Sequence, residues 1–488
     1  MAPGGTQLAN HRNLGPPWGH FPPNRAPEPD PSPEPEQSPR RREPLSPSTV
    51  PVAILGAGLT GLSAAFHLRQ ERIGCRLIER AAHPGGHAIT IEEQGYRFDR
   101  TGHLLHLRDP SIRDLALGWI RGGALEIERK SRVFSHGVYT RYPFQANTAG
   151  LPPEVAYACV TDFVRAHFAA DRPAPRTFED FCRHHFGDAI SDAFMIPYNT
   201  KLLGVPPSQI SAAWCSRFIP LPKLEDVIAG AVGLNDRELG YNTRFTYPRL
   251  GIGQLTSGLA EAAGPIELGR APTAIDTRSR VLHLPGEAVR YEALISTIPL
   301  PSLVALMTDA PAEVREAASR LRCTSLHYLD VALNSPCLLP YHWIYVPEPR
   351  FPFYRVGAYS NFSSAMAPPN KGCLYVELAD RQKPDMAELL PRLAADLRTM
   401  GLIDSDHAIR FARLRTIDHA YVVFDDDHFP ALEVIQPYLR SVGIQSTGRY
   451  GGWNYSSMED ALLFGRDAAR RARSLLGGEP ADNLPIES

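Results

Sequence analysis

The sequence predicts an α/β protein in which a parallel sheet carries a helical cap and a second, mixed or antiparallel sheet. Three observations predict it. Residues 50–79 read as strand, glycine turn, helix, strand; residues 150–240 carry apolar residues at helical spacing; and stretches near 321–333, 343–362 and 373–379 alternate or run apolar with β-branched and aromatic residues. At 488 residues, 43% of them hydrophobic, the chain holds enough apolar surface for roughly two or three domains. A net charge of −2 removes the usual electrostatic argument for nucleic acid or an anionic membrane as partner. The seven cysteines are scattered and form no C-x-x-C pair, which excludes a zinc ribbon by spacing and argues against a secreted disulfide framework. A cytoplasmic, reduced protein without a metal site is expected. Even the acidic run Asp425-Asp426-Asp427 reads as a solvated loop, because contiguous carboxylates cannot all converge on one ion.

Taken in order, residues 1–48 form a tail: thirteen of the 46 prolines fall in residues 1–49, with five acids and five arginines. Such a segment cannot bury enough apolar surface to offset its ordering entropy, and it lacks the apolar core of a secretory signal. Folded chain is expected from Val50. Residues 50–68 are apolar, but Gly56, Gly58 and Gly61 interrupt them, so the better reading is a buried strand at 51–55 and a helix from about 60 to 71. A second strand, Cys75–Glu79, completes a βαβ unit, and the three glycines match G-x-G-x-x-G in its confirming context. Gly56 permits the tight turn, Gly58 the close approach of a pyrophosphate, and Gly61 the packing of helix on strand. Leu59 and Thr60 open the helix at the same turn, and its N-terminus suits an anion. Glu79, ending the second strand, is placed to take a ribose hydroxyl, with Arg80 beside it.

A second glycine pair, Gly85-Gly86 with His87, follows directly. It lets the chain bend around an adenosine and run on toward a flavin, a feature that FAD enzymes of the glutathione-reductase type add. At the C-terminal end, Gly448-Arg449 through Tyr455, Ser456 and Met458 lead from a strand into a helix expected from about Ser457 to Leu475, a segment suited to closing over FAD. The expected FAD-binding domain is therefore discontinuous, 50–130, 265–300 and 440–476. Residues 150–240 form the helical cap, 320–435 the substrate-domain sheet, and 477–488 a second tail. The substrate is expected in the cleft between cap, sheet and flavin.

Eight further stretches then occur in order. They are Phe98-Asp99-Arg100-Thr101-Gly102-His103, Arg141-Tyr142-Pro143-Phe144-Gln145 and Phe194-Met195-Ile196-Pro197-Tyr198-Asn199, followed by Trp214, Tyr247-Pro248 with Gly251 and Gly253, Phe353-Tyr354-Arg355 with Ser360-Asn361, Asp418 to Tyr421, and Gly448 to Tyr455. With the glycine fingerprint, they resemble the UDP-galactopyranose mutase family, especially its eukaryotic-type branch, within the amine oxidase and protoporphyrinogen oxidase-like flavoproteins. The resemblance spans about Val50 to Ala472.

What the resemblance implies is a ring contraction of a nucleotide sugar without net redox change. Reduced flavin N5 displaces the nucleoside diphosphate at the anomeric carbon, and the sugar recloses in its other ring form before the diphosphate returns. The cofactor would be FAD, kept reduced by NADPH or another donor. His103, Arg355, Tyr421 and Tyr455 match the family's catalytic positions. Gly102, Gly251 and Gly253 match loops that approach the flavin, and Tyr142, Gln145, Asn199, Trp343 and Asn361 match positions on the substrate. The partner implied is a small molecule, and a place in cell-surface polysaccharide synthesis follows from the family. Two departures mark the substrate half: the family has a second diphosphate arginine where this chain has Ile196, and a tyrosine where it has Phe362. The tyrosines, Gln145 and Arg355 favour the mutase reaction. Ile196 favours the alternative, an FAD-dependent oxidoreductase of the amine oxidase or protoporphyrinogen oxidase type.

Overall fold

In the computed structural model, residues 47–170, 172–215, 219–234 and 243–477 are described, and nearly all of the expected tails lies outside them. The first strand, β1 (Ser48–Leu55), begins two residues before Val50 because Ser48 and Thr49 pair with Val289 and Arg290. Its core residues Val52, Ala53 and Ile54 are completely buried, each large aliphatic side chain contributing about 1.5–3 kcal/mol. Helix α1 (Leu59–Gln70) follows, then β2 (Cys75–Ile78), parallel to β1. On the other side of β1 lies the parallel strand Glu287–Ser296, which in turn pairs with Ile444–Ser446. Antiparallel strands Val281–Leu284 and Ala274–Asp276 extend one edge, and Ile266–Glu267 lies beyond β2.

Helix α1 is apolar nearly all round, since it is enclosed between this sheet and the C-terminal helix Met458–Gly477. Gly465 makes the contact possible: a Cβ there would stand 2.5 Å from that of Ser63. Ser63 Oγ also donates to Leu462 O at 2.7 Å, joining segments 399 residues apart.

The second large sheet runs, in spatial order, through strands Ile409–Val422, Cys323–Leu333, Gly372–Leu378, Phe353–Ala358, Trp343–Tyr345, Ser131–Ser135 and Val138–Arg141. All of its pairings are antiparallel except that between Trp343–Tyr345 and Ser131–Ser135, so the sheet is mixed. The expected 320–435 span supplies five strands; the hairpin 131–141 supplies the other two, adding an edge that alternation within 320–435 alone does not reveal.

Helices Pro153–Phe168 and Phe178–Ile190 pack on each other. The second starts at a capping box: Thr177 Oγ1 accepts from Asp180 N, and the Asp180 carboxylate accepts from Thr177 N. A π-helical turn, Ser191–Met195, leads into helix Ile196–Leu203, which ends at Gly204 in the left-handed conformation. Among the described residues, no helix is long and apolar enough to cross a membrane.

Candidate functional site

A single cavity of about 1260 Å³ runs from the end of β1 to the second sheet. That exceeds the ~300–1,000 Å³ of ordinary small-molecule pockets, so it has room for a dinucleotide and a second molecule.

At its first end two glycine turns abut. Gly56, at φ +95°, donates its N–H to Ile78 O, and a Cβ on it would stand 2.5 Å from Thr297 Oγ1. Gly85 and Gly86 also have positive φ, and a Cβ on Gly86 would lie 3.2 Å from Gly58 Cα. Backbone is thus exposed to the cavity where side chains would fill it. Gly58 caps α1 without any side-chain hydrogen bond, leaving the helix N-terminus open to an anion. Glu79 is held by both oxygens, accepting from Ala57 N at 2.8 Å and Ala81 N at 2.7 Å. Leu59, Thr60, Arg80 and His87 complete this end of the wall. Gly61 does not line it; a Cβ there would run into Gly56 O, so its role is helix–turn packing.

In the middle stand Gly102, His103 and the Gly448 to Met458 segment. Burial lowers the His103 pKa to about 4, so its imidazole is neutral, and its Nδ1 is buried with no hydrogen-bond partner among the described residues. Gly448, at φ +82°, lets its turn close on Thr60, whose Oγ1 would lie 2.7 Å from a Cβ. Arg449 donates to Ser456 O and Ala420 O, with its guanidinium 4.6 Å from the centre of the Tyr455 ring. The rings of Tyr455 and Tyr421 lie nearly parallel, 6.5 Å apart.

The far end is built by strand register. Glu377 lies opposite Arg355, and Arg355 opposite Tyr345, across three neighbouring strands, so the three side chains share one face. Arg355 donates from Nε and Nη2 to the two oxygens of Glu377, at 2.8 and 2.6 Å, and Glu377 is completely buried. Two residues along, Gly357 faces both Trp343 and Tyr375; a Cβ on it would collide with Cε1, Cζ and the hydroxyl of Tyr375. Tyr375 therefore reaches over the glycine until its hydroxyl abuts Gly102, linking the sheet to the His103 loop. Tyr142 packs on Tyr345, ring centres 4.7 Å apart, and Arg129 lies over Tyr142 at 5.3 Å. Gln145 Nε2 donates to Pro220 O and Asn199 Nδ2 to Met195 O, so each amide keeps its oxygen to accept.

The cavity wall thus gathers most of the sequence-predicted site residues: the glycines 56, 58, 85, 86, 102 and 448, Glu79, His103, Tyr142, Gln145, Asn199, Trp343, Arg355, Tyr421, Arg449 and Tyr455. Besides Gly61, three do not reach it. Gly251 and Gly253 pack against Thr90 and Asp99, and Asn361 Nδ2 donates to Leu339 O and Tyr341 O. Ile196 is also off the wall, although Met195, Tyr198 and Asn199 line it, and Phe362 is buried among Phe245, Tyr247 and Trp343. Sequence reasoning missed Arg129, Tyr345, Tyr375 and Glu377. A signal existed for the last: a glutamate inside the otherwise uncharged strand Gly372–Leu378 needs a buried partner.

Comparison with known proteins agrees with this geometry. Residues 54–116 match the model of an NAD(P)-binding Rossmann-like domain. The fold is similar to that of a crystal structure of reduced UDP-galactopyranose mutase, with a TM-score of 0.82 and 26% identity over 89% of this chain and 98% of that one. It is also similar to putrescine oxidase bound to putrescine, with a TM-score of 0.61 and 17% identity over 88% of this chain and 100% of that one. Cyclohexylamine oxidase from Brevibacterium oxydans IH-35A gives a TM-score of 0.64 and 15% identity over 88% and 99%. At those identities the two oxidases share the fold alone. The chain has an α/β architecture with a Rossmann-like domain, and is similar to UDP-galactopyranose mutase within the fold of the amine oxidase-like FAD enzymes.

Proposed function

We propose that this protein is an FAD-dependent mutase that interconverts the pyranose and furanose forms of a nucleotide-activated sugar. The observation that carries the reading is the continuity of one cavity, from a glycine-lined dinucleotide cradle to a wall of arginine and tyrosine. The cradle fits FAD: bare backbone at Gly58 and Gly86, an uncapped helix N-terminus and an oriented Glu79 are what a pyrophosphate and a ribose require.

Reduced FAD, held by the Gly56–Gly58 and Gly85–Gly86 turns and Glu79, would supply the nucleophile for the anomeric carbon. The chain's own residues do the rest. Arg355 lies where negative charge grows on the departing phosphate oxygen, and its planar fork is held in place by Glu377. Burial pushes the Tyr421 pKa up to about 12, keeping that hydroxyl protonated as a donor alongside Tyr455. The Gln145 and Asn199 amide oxygens accept from the base, and Tyr142 offers it a ring face. His103, neutral and buried, offers an uncharged imidazole at the flavin-facing wall.

The test is to incubate the purified protein with UDP-galactofuranose, reduced by dithionite and, separately, air-oxidised, and to follow UDP-galactopyranose by chromatography. Turnover in the reduced sample alone is expected; none in either sinks the reading. Aliphatic Ile196 favours a second reading, net oxidation of another substrate, for which hydrogen peroxide release on amine addition is the readout.

A further inference from the structure

We infer that Arg129, a residue in none of the sequence motifs, receives the phosphoryl groups of the substrate together with Arg355, across the Tyr142–Tyr345 ring pair. The inference rests on the nucleotide-sugar reading above and assigns the charge within that site.

The argument is one of charge and register. Arg355 is already engaged by a carboxylate at two of its nitrogens, and Glu377 has no exposure to water. The pair is close to neutral, whereas two linked phosphoryl groups each bring a negative charge. A site built on Arg355 alone attracts such a group weakly, and a second guanidinium is required. Arg449 directs both terminal nitrogens to Ser456 O and Ala420 O on the cofactor side.

Arg129 has the placement. It precedes strand Ser131–Ser135, whose Ser131 lies opposite Trp343 and whose Val133 lies opposite Tyr345. Its side chain shares the cavity wall with Tyr345 and Arg355, which lie opposite each other on neighbouring strands. The side chain is only 5% exposed, yet it lines the cavity. Its guanidinium lies over Tyr142, whose ring packs on Tyr345, opposite Arg355. The two cations therefore flank one aromatic pair. Phosphoryl oxygens between them gain a bidentate partner on one side and a cation held on a ring on the other.

The experiment uses the flavin-loaded protein. UDP and, separately, uridine are titrated against wild type, Arg129→Gln and Arg129→Lys, with binding read from the flavin absorbance spectrum. Flavin content and thermal midpoint are checked for each variant. Loss of a charge-assisted hydrogen bond predicts about tenfold or greater weakening of UDP in Arg129→Gln, with uridine unchanged and part of the loss recovered in Arg129→Lys. Equal weakening of UDP and uridine would assign Arg129 to the base or to packing and overturn the inference. So would unchanged UDP affinity in a flavin-replete Arg129→Gln. If wild type binds uridine and UDP equally, the phosphate site is absent and the inference fails, while the base site stands. If wild type binds neither, the nucleotide-sugar reading itself fails and takes the inference with it.

Discussion

Gly58 and Gly61 stand three residues apart in one motif, yet the structure assigns them different work. A Cβ on Gly58 meets no protein atom closer than 4.0 Å, so what it keeps open is ligand space; a Cβ on Gly61 collides with the Gly56 carbonyl. Gly58→Val should therefore fold with the thermal midpoint of apoprotein and retain no flavin, whereas Gly61→Ala should lose stability as well. A yellow, flavin-saturated Gly58→Val, read by absorbance after gel filtration, would sink the FAD assignment. Glu377 gives a second residue-scale prediction. Removing one partner of a buried ion pair costs about 3–5 kcal/mol, so Glu377→Ala should lower unfolding free energy by that order in denaturant titration.

A third concerns Asp99. Burial outweighs the hydrogen bonds donated by Thr90, Tyr247 and Ile252 N, and raises its pKa to about 7 from 3.8. The folded protein keeps a proton that the unfolded chain releases. This group's contribution to stability is complete below about pH 4 and is lost as pH rises toward about 7. Asp99→Asn removes that component, so the stability gap between variant and wild type should move in the variant's favour between about pH 5 and pH 7. A gap independent of pH would contradict it.

At the scale of elements, the helix Ile196–Leu203 turns Met195, Tyr198, Asn199 and Leu202 toward the cavity, the i, i+3, i+4, i+7 face that begins one residue before it. Residue 196 flanks that face, and an isoleucine there neither reaches the cavity nor brings charge. A longer, cationic side chain has the reach. Ile196→Arg should tighten UDP binding by about tenfold, the value of one charge-assisted contact; unchanged binding in a folded variant would show that the position points elsewhere. The floor sheet makes a complementary case. Gly357 is vacant so that Tyr375 can cross it, which makes Gly357→Ala an overpacking change of about 1–3 kcal/mol.

For the molecule as a whole, the described residues 47–477 belong to one compact unit, in which the first helix packs on the last. Helix α1 is covered by the C-terminal helix through Gly465 and the Ser63–Leu462 hydrogen bond, and the turn at Gly448 closes on Thr60. The dinucleotide cradle is therefore finished only when the last segment of the chain docks. A chain ending before Met458 should fail to hold flavin, and recovery of a flavin-replete truncation would disprove this closure. Ligand that binds only the folded form adds stability by mass action, so stripping flavin should lower the thermal midpoint.

The sequence by itself determined the βαβ unit, the two glycine turns, the acid that follows β2 and the helical character of residues 150–240. These are local: a backbone position that must be bare, a capping box or a period of 3.6 is written in contiguous residues. Most of the site residues it named also lie on the cavity wall, because the resemblance supplied non-local correspondences that periodicity cannot. Only the tertiary structure decided the row Glu377, Arg355, Tyr345 and its neighbour Arg129. Alternation tells which residues of one strand share a face, but not which strand lies beside it or in what register, and the four residues come from segments up to 248 positions apart. The same limit explains Asn361, Gly251 and Gly253, whose motifs sit next to the site in sequence while the packing of strand on strand turns them toward the backbone and Thr90 instead.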